Sequence, residues 1–134
     1  VEKSLIGESL KRFEEGGNIV RGVKMMKLNE EILNDHYAHI TKETFYPRLV
    51  EFMTSTPVVV LALEGEGVIK SVREKLGKTN SPEAEEGTIR RQYGINSMFN
   101  ICHASDSEKS AELELKRFFK KEELFSFHAE NYLK

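Results

Sequence analysis

Cysteine is almost absent from this chain: among 134 residues there is one, Cys102, with no tryptophan and only three prolines. A single thiol excludes an internal disulfide framework and a cysteine-built zinc cluster, and it suits a reducing compartment, so a cytoplasmic location is expected. Long apolar runs are also lacking. The longest, Val58 to Leu63, has the length of a buried strand and is far shorter than the roughly 20 residues of a membrane span. No signal-peptide pattern opens the chain. Charge of one sign is missing too: 20 basic against 22 acidic residues give a formal charge of -2, which argues against nucleic acid and against an anionic membrane as partners. Any anion site is therefore local.

What is present fits one domain with one core. Leu5, Ile6, Leu10 and Phe13 share a helical face, and Gly16-Gly17 supply the stop, so a helix is predicted over 4–15. Ile19 to Lys27 reads as a strand. Asn29 is an N-cap, with Glu30 and Glu31 at the positive end of a helix reaching about His39. Pro47 opens another helix, which Thr54-Ser55-Thr56-Pro57 closes. Val58 to Glu64 is continuously apolar up to its last residue and is expected to be a central strand covered on both faces. Val68, Ile69, Val72 and Leu76 mark a helix ended by Gly77, and a long irregular stretch is expected from Lys78 to about Phe99. Asn100 to Ala104 is predicted as a third strand. Ser105 and Glu108 suggest a capping box ahead of a helix with Ala111, Leu115, Phe118 and Phe119 inward, and Glu122 to Phe127 suggests one more turn. Helices alternating with strands imply a layered α/β or α+β sandwich.

Chemistry concentrates at the end of the third predicted strand. His103 precedes a capped helix, where backbone N-H groups and an imidazole can meet an anion, and Arg73 and Arg90 flank the long loop with the guanidinium forks that suit phosphate oxygens. Thr79 adds a hydroxyl. Taken singly, each has a plainer reading, since a strand-end histidine is more often a satisfied structural residue and surface arginines are usually solvated.

The whole string changes that balance. Asn100, His103, Ala104, Ser105, Asp106 and Ser107 stand in the order Asn-x-x-His-Ala-Ser-Asp-Ser, which resembles the phosphohistidine motif of the nucleoside diphosphate kinases. Leu5-Ile6-Gly7-Glu8, Arg12-Phe13-Glu14, His36-Tyr37, Pro57-Val58-Val59, Leu63-Glu64-Gly65, Gly77-x-Thr79-Asn80, Gly87-Thr88-Ile89-Arg90 and Glu122-Glu123-Leu124 are similar to that family at the expected intervals. The likeness covers nearly the whole chain.

It implies a ferredoxin-like βαββαβ α+β sandwich with an antiparallel sheet, and ping-pong transfer of the terminal phosphate of a nucleoside triphosphate to a nucleoside diphosphate, with Mg2+ carried by the nucleotide and no protein metal site. His103 would be the nucleophile, oriented by Glu114 with Ser105. Arg73, Thr79 and Arg90 would bind phosphates, Tyr37 would stand near them, Asn100 would bind the sugar, and Phe45 with Leu49 would clamp the base. A homo-oligomer, hexamer or tetramer, is implied. The family's first strand and its following lysine are expected just upstream of Val1, making residues 1–134 an N-terminally incomplete domain. Ser97-Met98-Phe99 and Arg91-Gln92 depart from the family pattern, which touches base packing and assembly. A rival reading is an impaired homologue that binds nucleotide or serves assembly.

Other features have plain readings. His36 and His39 are expected as a surface pair and not a metal site, Cys102 as a buried filler, and Lys116-Arg117 with Lys120-Lys121 as part of a solvated mixed face.

Overall fold

A computed structural model describes residues 4–126. Helix α1 spans Ile6–Glu15 and buries Phe13, with Glu8 and Arg12 paired at 2.8 Å and Arg12 Nη1 donating to Gly87 O at 3.1 Å. Strand β1 (Ile19–Met26) leads to α2 (Glu30–His36), where Asn29 accepts the Ile32 N-H at 2.9 Å and so satisfies one of the free donors of the first turn. A 3-10 turn at Ala38–Ile40 takes the place of the last part of the expected helix. Helix α3 (Tyr46–Ser55) carries Pro47 in its first turn, where a missing N-H costs nothing.

Strand β2 (Val58–Glu64) runs antiparallel to β1, with Ile19 opposite Glu64 and Met26 opposite Val58. The register shifts between Val20 and Gly22, where a Cβ would come within 3.0 Å of the Phe119 ring, so glycine lets the chain beyond the last helix pack on the strand. Helix α4 (Val68–Leu76) ends at Gly77, whose φ of 87° is a left-handed value that other residues avoid. Short helix α5 (Ile89–Tyr93) is capped by Thr88, and α6 (Glu108–Phe118) by Ser107, whose hydroxyl accepts the Ser110 N-H at 3.1 Å. The cap is thus two residues later than the expected Ser105, because Ser105 is engaged elsewhere.

Phe13, Leu76 and Ile89 form the buried centre, with Leu61, Leu63, Val72, Tyr93, Ile101, Cys102 and Ala104 packed around it. An apolar cleft of about 380 Å³ lies between β2, the faces of α1, α4 and α6, and residues 101–105. For that reason β2 is half-buried over most of its length, with Ala62 alone fully buried, in place of the covering expected on both faces.

Two sequence expectations are corrected here. Residues 100–104 form no strand: Ile101 has a φ of 77°, and the carbonyls of Cys102 and Ala104 accept Arg90 and Arg73 side chains in place of a neighbouring strand. Residues 78–99 are not irregular throughout. A 3-10 turn at Ser81–Glu83 and helix α5 order them, with Ser81 and Ile89 each 1% exposed. Phe127 of the expected final turn lies outside the described residues.

Candidate functional site

His103 stands in the extended run before α6, and Glu114 projects from the second turn of that helix toward it. Their Nε2 and Oε1 lie 3.1 Å apart, and the Ser105 hydroxyl donates to the other carboxylate oxygen. Burial would raise the Glu114 pKa, but the hydrogen bonds from Ser105 and His103 and the pull of the adjacent imidazoles outweigh it, so the group stays below the usual carboxylate range. An ionised carboxylate only accepts. The Nε2 of His103 therefore carries the proton that Glu114 accepts.

Against the His103 ring sits His36, from the last turn of α2. The ring centroids are 4.7 Å apart and the planes 80° apart, an edge-to-face contact. His36 was expected on the surface beside His39; its side chain is 6% exposed, and His39 is not part of the cluster. The sequence places α2 and α6 far apart, and only their packing brings this histidine inward. Arg117 Nη1 donates to His36 Nδ1 at 3.0 Å while Arg117 Nε donates to Asp35 at 2.6 Å. Arg117 is thereby removed from the solvated face expected for it. A guanidinium has only donors, so His36 Nδ1 must accept and the ring is neutral. Burial, then the adjacent His103, lower its pKa from 6.5 to about 4, against an opposing pull from Glu114.

His36, His103 and Glu114 have ligand atoms within 4.8 Å of one another, a spacing that could hold a metal ion. Two of the three are already engaged: Arg117 uses the His36 lone pair, and Ser105 and His103 donate to the two Glu114 oxygens. A metal ion would have to break those bonds beside a guanidinium.

Tyr37 follows His36, with its ring 6.1 Å from that of His103; burial first, then Glu114, raises its phenol pKa. The two arginines expected at phosphates both reach the backbone beside His103. Arg73 donates to Ala104 O at 3.2 Å, and Arg90 to Cys102 O at 2.6 Å and Gly77 O at 3.0 Å. Arg90 is 5% exposed, and its Nε has no hydrogen-bond partner among the described residues. Cys102 packs on the core, and burial raises its thiol pKa.

A second group of expected residues gathers at the mouth. Asn100 Nδ2 donates to Thr79 O at 3.1 Å and Ser97 O at 2.9 Å, so the loop after α4 and the loop after α5 meet there. Phe45 and Leu49 stand one turn apart at the start of α3, with Phe45 44% exposed. Further along α3, Phe52 makes an edge-to-face contact with Phe99 at 4.5 Å, and Arg48 lies 5.9 Å over the same ring. The sequence reading missed His36, Asp35 and Arg117 at the site, and it missed the Phe52 to Phe99 contact; the signal for the first was the pairing of His36 with Tyr37, and for the second the departure at Phe99.

The sequence profile of the family described as nucleoside diphosphate kinase matches residues 1–124. A nucleoside diphosphate kinase of Parabacteroides distasonis is 45% identical over 133 residues, covering 99% of this chain and 87% of its own. One from Methanocaldococcus jannaschii is 46% identical over 125 residues, covering 93% and 89%. Among solved structures, a nucleoside diphosphate kinase of Halobacterium salinarum in complex with CDP superposes with a TM-score of 0.92 at 34% identity, over 99% of this chain and 90% of that one. The enzyme of Aquifex aeolicus gives 0.87 at 38% identity, over 92% and 90%. These likenesses establish an α+β, ferredoxin-like fold, of which two antiparallel strands lie among the described residues.

Proposed function

The chain belongs to the nucleoside diphosphate kinase family and is an enzyme of that kind, and from that premise we propose that it transfers the terminal phosphate of a nucleoside triphosphate to a nucleoside diphosphate through a phosphohistidine at His103. The observation that carries this reading is the bond between His103 Nε2 and Glu114. The Nε2 N-H donates to Glu114, and in this reading the ring is neutral with its Nδ1 lone pair turned to the ligand. That lone pair attacks the γ-phosphorus, a P-N bond forms, and the bond to the β,γ-bridging oxygen breaks with its electron pair leaving on the diphosphate. A second diphosphate then reverses the step. Through both halves the Nε2 proton stays shared with Glu114, which stabilises the ring as charge grows on it.

Ser105 holds the second carboxylate oxygen, so Glu114 cannot turn away. Arg73, Thr79 and Arg90 bind phosphates in this reading. Both arginines already border His103, and phosphate oxygens replace the carbonyls they now hold. Tyr37 stands near the phosphates, Asn100 meets the sugar, and Phe45 with Leu49 clamps the base, where stacking tolerates any base. Mg2+ carried by the nucleotide would neutralise phosphate charge. That fits the residues present, because the carboxylate touching His103, Glu114, has both oxygens engaged. Exposed Ile19, Val23 and Met25 on β1 support assembly into a tetramer or hexamer. The lone buried thiol suits the cytoplasm.

Incubation with γ-labelled ATP and Mg2+ puts acid-labile label on the wild type, and adding a diphosphate removes it. His103→Ala takes up none. Absence of label on the wild type, or undiminished label on His103→Ala, overturns the reading.

A further inference from the structure

The proposed reaction needs His103 with Nδ1 outward every time, yet Glu114 alone does not guarantee that. An imidazole has two nitrogens, and rotation about both Cα–Cβ and Cβ–Cγ would offer Nδ1 to the carboxylate and Nε2 to the phosphate, while a half-turn about Cβ–Cγ alone would put a carbon where Nδ1 had been. Something must resist that turn. The ring of His36 lies across the ring of His103 at 4.7 Å and 80°. It is itself held from several sides: Tyr37 at 4.7 Å, Phe118 at 5.2 Å, and Arg117 at 3.0 Å from Nδ1, with Arg117 anchored to Asp35.

We propose that His36 is a positioning residue for the phosphate carrier: its ring, clamped by Arg117 and Asp35, is the wall that keeps the His103 ring in the one orientation exposing Nδ1. This inference rests on the phosphohistidine reading above. The choice of histidine for the wall has a physical reason. A phenyl ring would have the shape but no acceptor for Arg117, and the guanidinium would then be half-buried with one donor unused. The neutral imidazole accepts that donor and adds no positive charge beside the nucleophile. The groups facing His36 are His103, Glu114, Arg117 and Asp35, and of these only Glu114 and Asp35 favour its protonation. Aromatic edge-to-face contacts are directional, so the wall fixes an angle as well as a position.

The test reads which nitrogen carries phosphate. Phosphorylated protein is denatured in alkali, where phosphohistidine survives, and the Nδ1 and Nε2 isomers are resolved by phosphorus NMR. Wild type is expected to show the Nδ1 isomer alone. His36→Ala is expected to give both isomers and to lower kcat about 10- to 100-fold with KM for either nucleotide within about two-fold, the size expected of lost orientation. His36→Phe restores the wall and is expected to recover the single isomer and most of the rate. Arg117→Met leaves the wall in place but unclamped, and is expected to show a minor fraction of the second isomer with a several-fold loss of kcat. Near-UV circular dichroism confirms that each variant is folded; if His36→Ala fails that check, His36→Phe and Arg117→Met decide. A single isomer at the wild-type rate in folded His36→Ala or, failing that, in Arg117→Met overturns the proposal. So does a His36→Phe variant as mixed and slow as His36→Ala, or, where His36→Ala does not fold, one with a mixed isomer pattern. Wild type without label fails the phosphohistidine reading instead, which keeps the two failures apart.

Discussion

The surroundings of His103 and the mouth around Asn100 are built on different terms. At His103 every polar atom of the neighbouring acid has a partner, two histidines and an arginine are interlocked, and the tautomers follow from the bonds. At the mouth, Phe45 is 44% exposed, and Asn100 spends its amide on two carbonyls. The difference teaches where preorganisation resides. The nitrogen that would form a bond in the proposed reaction is oriented before any ligand arrives, whereas the groups that would grip a nucleotide are engaged with the backbone and would have to exchange those contacts for it.

The strongest way to break the contrast is to open the ordered side. Glu114→Ala removes the acceptor of both His103 and Ser105; kcat is expected to fall about 100- to 1000-fold, corresponding to roughly 3–4 kcal/mol of barrier, as read by a coupled assay on folded protein. A loss under about five-fold would show that the carboxylate does not orient the ring.

Arg90 links the two regions, since it ties Gly77 to Cys102. Arg90→Met leaves two carbonyls without that donor, and urea denaturation is expected to show about 2–4 kcal/mol less stability. A variant as stable as wild type would mean that the arginine is held for ligand alone.

Titration sharpens the same comparison. His36 ionises at about 4 in the folded state against 6.5 in the unfolded chain, so the unfolded state binds more protons between those values. The contribution is complete above pH 6.5 and is lost as pH falls toward 4. Between pH 7.5 and pH 5 the loss is on the order of 2 kcal/mol by linkage, and His36→Phe is expected to flatten that part of the stability profile. An unaltered acid limb in that variant would assign the limb to other groups.

The smallest effect belongs to the mouth. Phe99→Ala removes the contact with Phe52, worth about 1 kcal/mol for an aromatic pair beyond its area, and is expected to raise nucleotide KM a few-fold with kcat little changed. A fall in kcat at constant KM would move Phe99 into the chemistry.

Much of this could be read along the chain. Helix ends at Gly77 and Asn29, the strand from Val58 to Glu64 and the motif around His103 rest on local chemistry, and the structure places those elements accordingly. The third strand failed because the short apolar stretch in Asn100 to Ala104 reports burial without saying what takes its carbonyls, and here Arg73 and Arg90 take two of them. The long loop failed because Thr88 supplies a cap to a helix of only one turn or so, too short for periodicity to show.

By itself, then, the sequence determined the class of fold and the line from Asn100 to Ser107 that singles out His103, because caps, stops and motifs act between residues a few places apart. Only tertiary structure decided that the His36 ring lies against His103 and not on the surface, and that Arg117 donates to it from 81 positions away. Periodicity tells which face of an element turns inward. Which two inward faces meet depends on the packing of α2 against α6, and no local rule contains that.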